Sequence, residues 1–339
     1  MENNIKLSIC IPTYNRAYYL KQCLETLIPQ VKSRKDVEVI IGDNFSSDNT
    51  NEVIMSFKTS DVQIRNFRNN ENMGYTGNQI KCFENASGRY IAILCDDDVY
   101  LDGEVEEILS VISKRDYAYI ALNYYSFFYN YKRPYKVDFA PEKDIIFEKA
   151  LNILNYPTVG HYSAIVLNAK LAKKYLAELI GQGKHIKAEK SRGIITGLYI
   201  RLLAKTDLPA YFIGKRKLAA RIPEVLDYDL LRHLCVDYYD MYYEFYKDGL
   251  ISREDLNFRI GLILAMLPKA IIKDLHKLDD KEVKRITEKL IDDLKYYSSF
   301  KFISLPLLFL GRFKTIRYFY RLISFLVDIK RKIIRRIKG

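Results

Sequence analysis

Short apolar runs alternate with longer stretches of helical period over the first hundred residues. Leu7-Ser-Ile-Cys-Ile11 predicts a buried strand that Pro12 stops. Val37-Glu-Val-Ile-Ile41 predicts a second strand, ending at Gly42-Asp43-Asn44. Residues 62–66 form a weaker third, and Tyr90-Ile-Ala-Ile-Leu-Cys95 a fourth. Between the strands, residues 17–29 place Leu20, Leu24 and Leu27 on one helical face. Ser46, Ser47 and Asp48 offer N-cap side chains to a helix over 50–57. Asn72-Met-Gly74 turns into a helix that reaches Asn85. This alternation predicts an α/β fold, a Rossmann-like, mostly parallel sheet with helices on both faces.

Beyond Asp102 the pattern loosens. Residues 104–113 predict a helix, 117–129 a strand, 130–143 a polar loop and 145–154 a helix. Two short strands, 163–167 and 210–213, flank helices at 169–180 and 193–204. From 223 to 294 the chain reads as helical. Its tyrosines at 238, 239, 242, 243 and 246 have helical spacing and serve as core and groove lining. The expected division is 1–225, 226–294 and 295–339, a mainly helical C-terminal region following the α/β domain.

Charge separates the last segment from the rest. The chain carries +12, but residues 295–339 hold 12 Lys/Arg against one acid, Asp328, so the remainder is nearly neutral. Lys314, Arg317, Arg321, Ser324, Asp328, Arg331, Arg335 and Lys338 form a polar, basic stripe at helical spacing. Ile316, Phe319, Ile323, Leu326, Ile333 and Ile337 form an apolar one. That pattern predicts a helix in a membrane interface, with cations toward anionic lipid. A helix packed on its own domain with the basic side wet has the same stripes. Nucleic acid is the competing partner of a basic helix; the density of Phe, Ile and Leu argues against it. No run reaches about 18 apolar residues, so no spanning helix is expected. Met1-Glu-Asn-Asn-Ile-Lys6 leads straight into a strand without a signal peptide. The five cysteines, Cys10, Cys23, Cys82, Cys95 and Cys235, have no CxxC spacing, which suits a reducing cytoplasm without disulfides or zinc.

The chemistry concentrates where the fourth strand ends, at Asp96-Asp97-Asp98. A parallel sheet binds ligands beyond the carboxyl ends of its strands. Three adjacent carboxylates there repel one another, and a hard divalent cation, Mg²⁺ or Mn²⁺, relieves the repulsion. Mg²⁺ commonly combines one or two carboxylates with substrate phosphates, which points to a metal–diphosphate site. A solvated acidic turn before the next helix accounts for the same three residues.

Four segments, in order, resemble the family 2 glycosyltransferases, which have the nucleotide-diphospho-sugar-binding GT-A fold. They are Ser8-Ile-Cys-Ile-Pro-Thr-Tyr-Asn-Arg16, Ile41-Gly-Asp43-Asn44-Phe-Ser46-Ser-Asp48, Asn72-Met-Gly74-Tyr-Thr-Gly-Asn78 and Leu94-Cys-Asp96-Asp97-Asp98. The resemblance covers residues 5–115 well and 116–225 loosely. It implies a nucleotide-sugar half (1–115) and an acceptor half (116–225). Pro12, Thr13, Tyr14, Asn15, Asp43, Asn72, Gly74, Asn78, Asp96 and Asp97 would then bind the nucleotide-sugar, with Asp43 on the base and Asp96 on ribose. Asp97 and Asp98 would hold the metal. Cys95 stands where many members have an aspartate.

The implied reaction is metal-dependent, inverting transfer of a sugar to an acceptor hydroxyl, which needs a general base. Relatives carry a Glu-Asp pair before a helix in this region; the matching helix here starts with Thr196 and Gly197 and lacks it. Glu189, between Lys187 and Lys190, is the nearest upstream carboxylate and the candidate base, and it reads equally as a surface charge. His161 and Arg221 are candidates for contact with acceptor or diphosphate. The resemblance and the basic tail together imply a lipid-linked glycan acceptor in bacterial surface polysaccharide synthesis, at the inner face of the cell membrane. A nucleotidyltransferase would need a Gly-rich phosphate loop after the first strand, and a dinucleotide oxidoreductase a G-x-G-x-x-G; neither is present. A non-catalytic membrane or nucleic-acid adaptor on the same fold is the alternative.

Overall fold

The computed structural model describes residues 4–137, 140–157, 159–181, 193–223, 230–232 and 237–338. The chain divides into two compact units, Met1–Ile222 and Pro223–Gly339.

The first unit opens with strand β1 (Leu7–Thr13), helix α1 (Ala17–Val31), β2 (Val37–Asp43), α2 (Thr50–Phe57), β3 (Ile64–Arg68), α3 (Gly74–Asn85) and β4 (Tyr90–Ile93). These strands pair in parallel in the order β3-β2-β1-β4. Every residue of β1, β2 and β4 is buried, as their continuous apolar runs require for a sheet covered on both faces. Contrary to expectation, β1 continues through Pro12 to Thr13. Cys10 accepts a hydrogen bond from Leu94 on the β4 side and Thr13 from Asn44 on the β2 side, so by alternation Pro12 faces the side where β4 has already ended. A missing N–H costs nothing there.

The sheet then becomes mixed. It continues through β5 (Val99–Tyr100), α4 (Glu104–Lys114), β6 (Tyr119–Phe127), β7 (Ile145–Phe147), β8 (Ile165–Asn168), α5 (Ala169–Gly181), α6 (Gly193–Ala204) and β9 (Ala210–Arg221). Strand β8 runs antiparallel to both β4 and β6, β6 pairs with β9 in parallel, and β5 and β7 pair with β9 in antiparallel. The expected helix over 145–154 is instead β7 followed by a 3-10 turn, Ala150–Asn155. Pairing of Ile145 with Phe212 and Phe147 with Ala210 overrides the local helical pattern. Strand β9 is much longer than 210–213 because it passes through a bulge opposite Asn123.

The second unit is helical: α7 (Tyr238–Lys247), α8 (Arg253–Asp274), α9 (Asp280–Leu294), α10 (Leu305–Leu310) and α11 (Lys314–Lys338). Ser252 and Asp255 form a reciprocal capping box at α8, and Asp279 caps α9. Tyr239, Tyr242 and Phe245 are buried, while Tyr243 is exposed. Helix α11 corrects one detail of the sequence reading. Arg317, read as part of the polar, basic stripe facing anionic lipid, is only 8% exposed. It donates to the Leu278 carbonyl at 2.9 Å and pairs with Asp280. Among the described residues, no helix is long and apolar enough to cross a membrane.

Candidate active site

The carboxyl ends of β1, β2 and β4 lie side by side, because Thr13 is in register with Asp43 and Cys10 with Ile93. The loops leaving these ends therefore meet. Thr13 Oγ1 donates to Asp96 Oδ2 at 2.7 Å. Arg16, at the entry to α1, sets its guanidinium 3.3 Å from Asp96 and pairs with Asp97. Asp98 turns the other way. It accepts from Ser163 Oγ at 2.6 Å, from His161 Nε2 at 2.9 Å and from the Arg221 backbone N–H at 2.7 Å. The three adjacent aspartates thus have three different environments.

Those environments set their protonation. Burial, opposed by Arg16 and reinforced by Asp97, pushes the Asp96 carboxyl up to about 7. Burial and the Asp98 charge raise Asp97 as well, against the pull of Arg16. Burial also acts on Asp98, but His161 and the bonds from Ser163 and Arg221 overcome it and lower its carboxyl. His161 is the counterpart: burial favours the neutral ring, and Asp98 outweighs it and raises the imidazole. The His161 ring stacks at a tilt on Tyr124, 4.6 Å between centroids.

Cys95 Sγ and carboxylate oxygens of Asp97 and Asp98 lie within 4.8 Å of one another. Two carboxylates at this spacing suit a hard divalent cation. The thiol fits less well, since burial and the neighbouring Asp98 and Asp97 charges hold it protonated. The donor set thus fits Mg²⁺ or Mn²⁺ through its oxygens.

The rest of this end of the sheet comes from β2 and the loops after it. Asp43 is 2% exposed; it accepts from Ser46 N at 2.9 Å and from Arg68 Nη1 at 2.8 Å. Asn15, at positive φ, accepts from Ser47 N at 2.7 Å, and Tyr14 and Phe45 remain exposed. Asn44 ties the Asn72–Gly74 turn down: its Nδ2 donates to Asn72 Oδ1 at 2.7 Å and to the Gly74 carbonyl at 3.1 Å. Gly74 has φ +70°, which a side chain would strain. Asn78 is buried, donating to the Gly42 carbonyl and accepting from Asn69, so its amide braces β2. Arg221 lies beside the aspartates with its guanidinium between the rings of Tyr19 and Phe127, bonded to the Asp97 and Phe128 carbonyls. Glu189 falls outside the described residues. Sequence reasoning assigned no role to Arg16, Ser163, Arg68 or Asn44. Arg16 follows Pro-Thr-Tyr-Asn directly and Ser163 lies two residues after His161, so proximity to named candidates was the available signal.

A mixed, largely parallel sheet whose strand ends gather aspartates, with helices on its faces, defines a GT-A-type transferase fold. The sequence model of glycosyl transferase family 2 matches residues 8–176, and the chain belongs to that family. A beta-1,3-glucosyltransferase of Campylobacter jejuni, named for GalNAc(5)-diNAcBac-PP-undecaprenol, is 34% identical over 105 residues. That alignment covers 31% of this chain and 33% of the relative. Staphylococcus aureus TarS (residues 1–349), solved with UDP-GlcNAc, superposes with TM-score 0.62 at 14% identity, over 94% of this chain and 90% of that one. The mannosyltransferase PcManGT of Pyrobaculum calidifontis, solved with GDP-Man and Mn²⁺, superposes with TM-score 0.52 at 12% identity, over 97% and 86%.

Proposed function

We propose that the chain is a metal-dependent, inverting glycosyltransferase that moves a sugar from a nucleotide-diphospho-sugar to an acceptor hydroxyl. The observation that carries this reading is the donor cluster of Asp97 and Asp98 at the tip of β4, beside Asp96. Asp97 and Asp98 would hold Mg²⁺ or Mn²⁺, which when bound neutralises charge on the leaving diphosphate. Asp96, held by Thr13 Oγ1, faces the ribose hydroxyls. Asp43, with Arg68 fixing one oxygen, presents the edge that accepts from a base N–H. Tyr14 and Phe45 offer exposed rings at the same mouth, suited to stacking. His161, Ser163 and the Arg221 N–H keep Asp98 ionised and oriented. Glu189 is the proposed general base.

The Campylobacter jejuni relative's undecaprenol-linked substrate supports a lipid-linked glycan acceptor, in surface polysaccharide synthesis. The basic, amphipathic tail supports peripheral attachment to an anionic membrane at its cytoplasmic face. A screen of UDP-, GDP-, dTDP- and CDP-sugars for metal-stimulated hydrolysis tests the reading. One nucleotide class should be hydrolysed, and chelator should abolish it. Hydrolysis of none, with no nucleoside diphosphate raising the thermal midpoint, would favour the adaptor alternative.

A further inference from the structure

Helix α11 packs against its unit through one narrow face, while Lys314, Arg321 and Asp328 of its polar stripe stay exposed. Arg317 and Tyr320 are buried against the second unit, Tyr320 Oη donating to the Leu307 carbonyl at 2.8 Å, and half-buried Ser324 continues that face. The opposite face shows Tyr318, Phe319, Leu322, Phe325, Leu326 and Ile329, with Phe325 61% exposed. The apolar stripe is therefore uncovered by its own unit, and contiguous apolar surface of this kind marks an interaction site.

Between the two faces, at the foot of the helix, lies a cavity of about 440 Å³, within the size of small-ligand sites, roughly 300–1,000 Å³. Lys314, Arg317, Tyr318 and Arg321 line it from α11, and Asp279 and Asp280 from the start of α9. Both carboxylates are committed: Asp279 Oδ1 caps α9 by accepting from Glu282 N at 2.8 Å, and Asp280 pairs with Arg317. Lys314 and Arg321 form no ion pair among the described residues. Two cations of one helix face thus border the cavity and the uncovered apolar stripe at once.

We infer that this cavity receives the headgroup phosphate of an anionic phospholipid, while the outward face of α11 lies in the bilayer interface. The inference rests on the membrane attachment proposed above and names the group that attachment recognises. Lys314 and Arg321 supply charge-assisted hydrogen bonds to phosphate oxygens. Tyr318 stands at the depth where aromatic rings settle between headgroups and acyl chains. A second copy of the chain would bring a like-charged tail against this one, and nucleic acid would leave the apolar face in water.

Vesicle co-flotation of the full chain tests this, comparing phosphatidylcholine vesicles with vesicles that also contain phosphatidylglycerol. The unmodified chain should prefer the anionic vesicles. Lys314→Ala with Arg321→Ala should weaken that binding by about fivefold per cation removed. Arg312→Ala with Lys330→Ala removes the same charge outside the cavity and should weaken it clearly less. Equal losses in the two double variants would overturn the site and leave diffuse charge attraction. Displacement of the chain from vesicles by millimolar inorganic phosphate would overturn a lipid ligand in favour of a free anion. Failure of the unmodified chain to bind anionic vesicles would sink the attachment itself.

Discussion

Glu104 is fully buried at the start of α4, and neither of its carboxylate oxygens has a hydrogen-bond partner among the described residues. Burial pushes its carboxyl from 4.5 up to about 8, with Lys217 opposing and Glu107 adding. The folded chain therefore keeps this proton at neutral pH, while the unfolded chain releases it. Stability from this group is full below pH 4.5 and is lost as pH rises through about 8. The shift corresponds to roughly 5 kcal/mol. Glu104→Gln is neutral at every pH, so its thermal midpoint should match the parent in mild acid and exceed it by several degrees above pH 8. Parallel pH slopes would contradict the assignment. Arg16 acts in the opposite sense, as the cation that neutralises Asp96 and Asp97. Arg16→Met should lower the midpoint in chelator by about 1–2 kcal/mol equivalent and enlarge the stabilisation by Mn²⁺. An unchanged Mn²⁺ shift would show that Arg16 and the metal do not share these carboxylates.

Among the elements, β2 packs against α3 through one glycine. A Cβ on Gly42 would lie 2.7 Å from Cys82 Sγ and 2.8 Å from Asn78 Oδ1, so α3 packs directly on the strand. Gly42→Ala should cost about 1–3 kcal/mol in chemical denaturation, and a neutral result would mean that α3 shifts freely. The bulge of β6 on β9 depends on Asn123, which is buried and donates to the Gly214 carbonyl at 2.8 Å. Asn123→Leu leaves carbonyls unpaired and should destabilise by about 2–3 kcal/mol in the same assay; retention of full stability would remove the bulge from the account. These elements also show what sequence can disclose. Strands β1, β2 and β4 were legible because both of their faces are covered, which leaves an uninterrupted apolar run. Strand β7 was not, because its strand character comes from Phe212 and Ala210, more than sixty residues on. The polar run Lys215-Arg216-Lys217 hid the continuation of β9. Asp43 and Asp96–Asp98 were visible as acids at strand ends. The His161–Asp98 bond was not, since it spans 63 residues and depends on β8 lying beside β4.

At the scale of the whole molecule, the proposed donor and membrane roles fall in different units. The first, Met1–Ile222, contains every described residue proposed above for the donor side; the second presents the exposed apolar face of α11. A fragment of residues 1–222 should therefore fold and keep nucleotide-sugar affinity close to that of the full chain. A fragment that folds, by its circular dichroism, yet no longer binds would place donor-side contacts in the second unit. The central claim is that a divalent cation on Asp97 and Asp98 is shared with the diphosphate of a sugar nucleotide. Titration calorimetry of the full chain with UDP- and GDP-sugars tests it most directly, run in Mn²⁺, in chelator, and with Asp97→Ala plus Asp98→Ala. The account predicts binding of one donor class in Mn²⁺ that disappears in chelator and in the double variant. Equal affinity under all three conditions would contradict it.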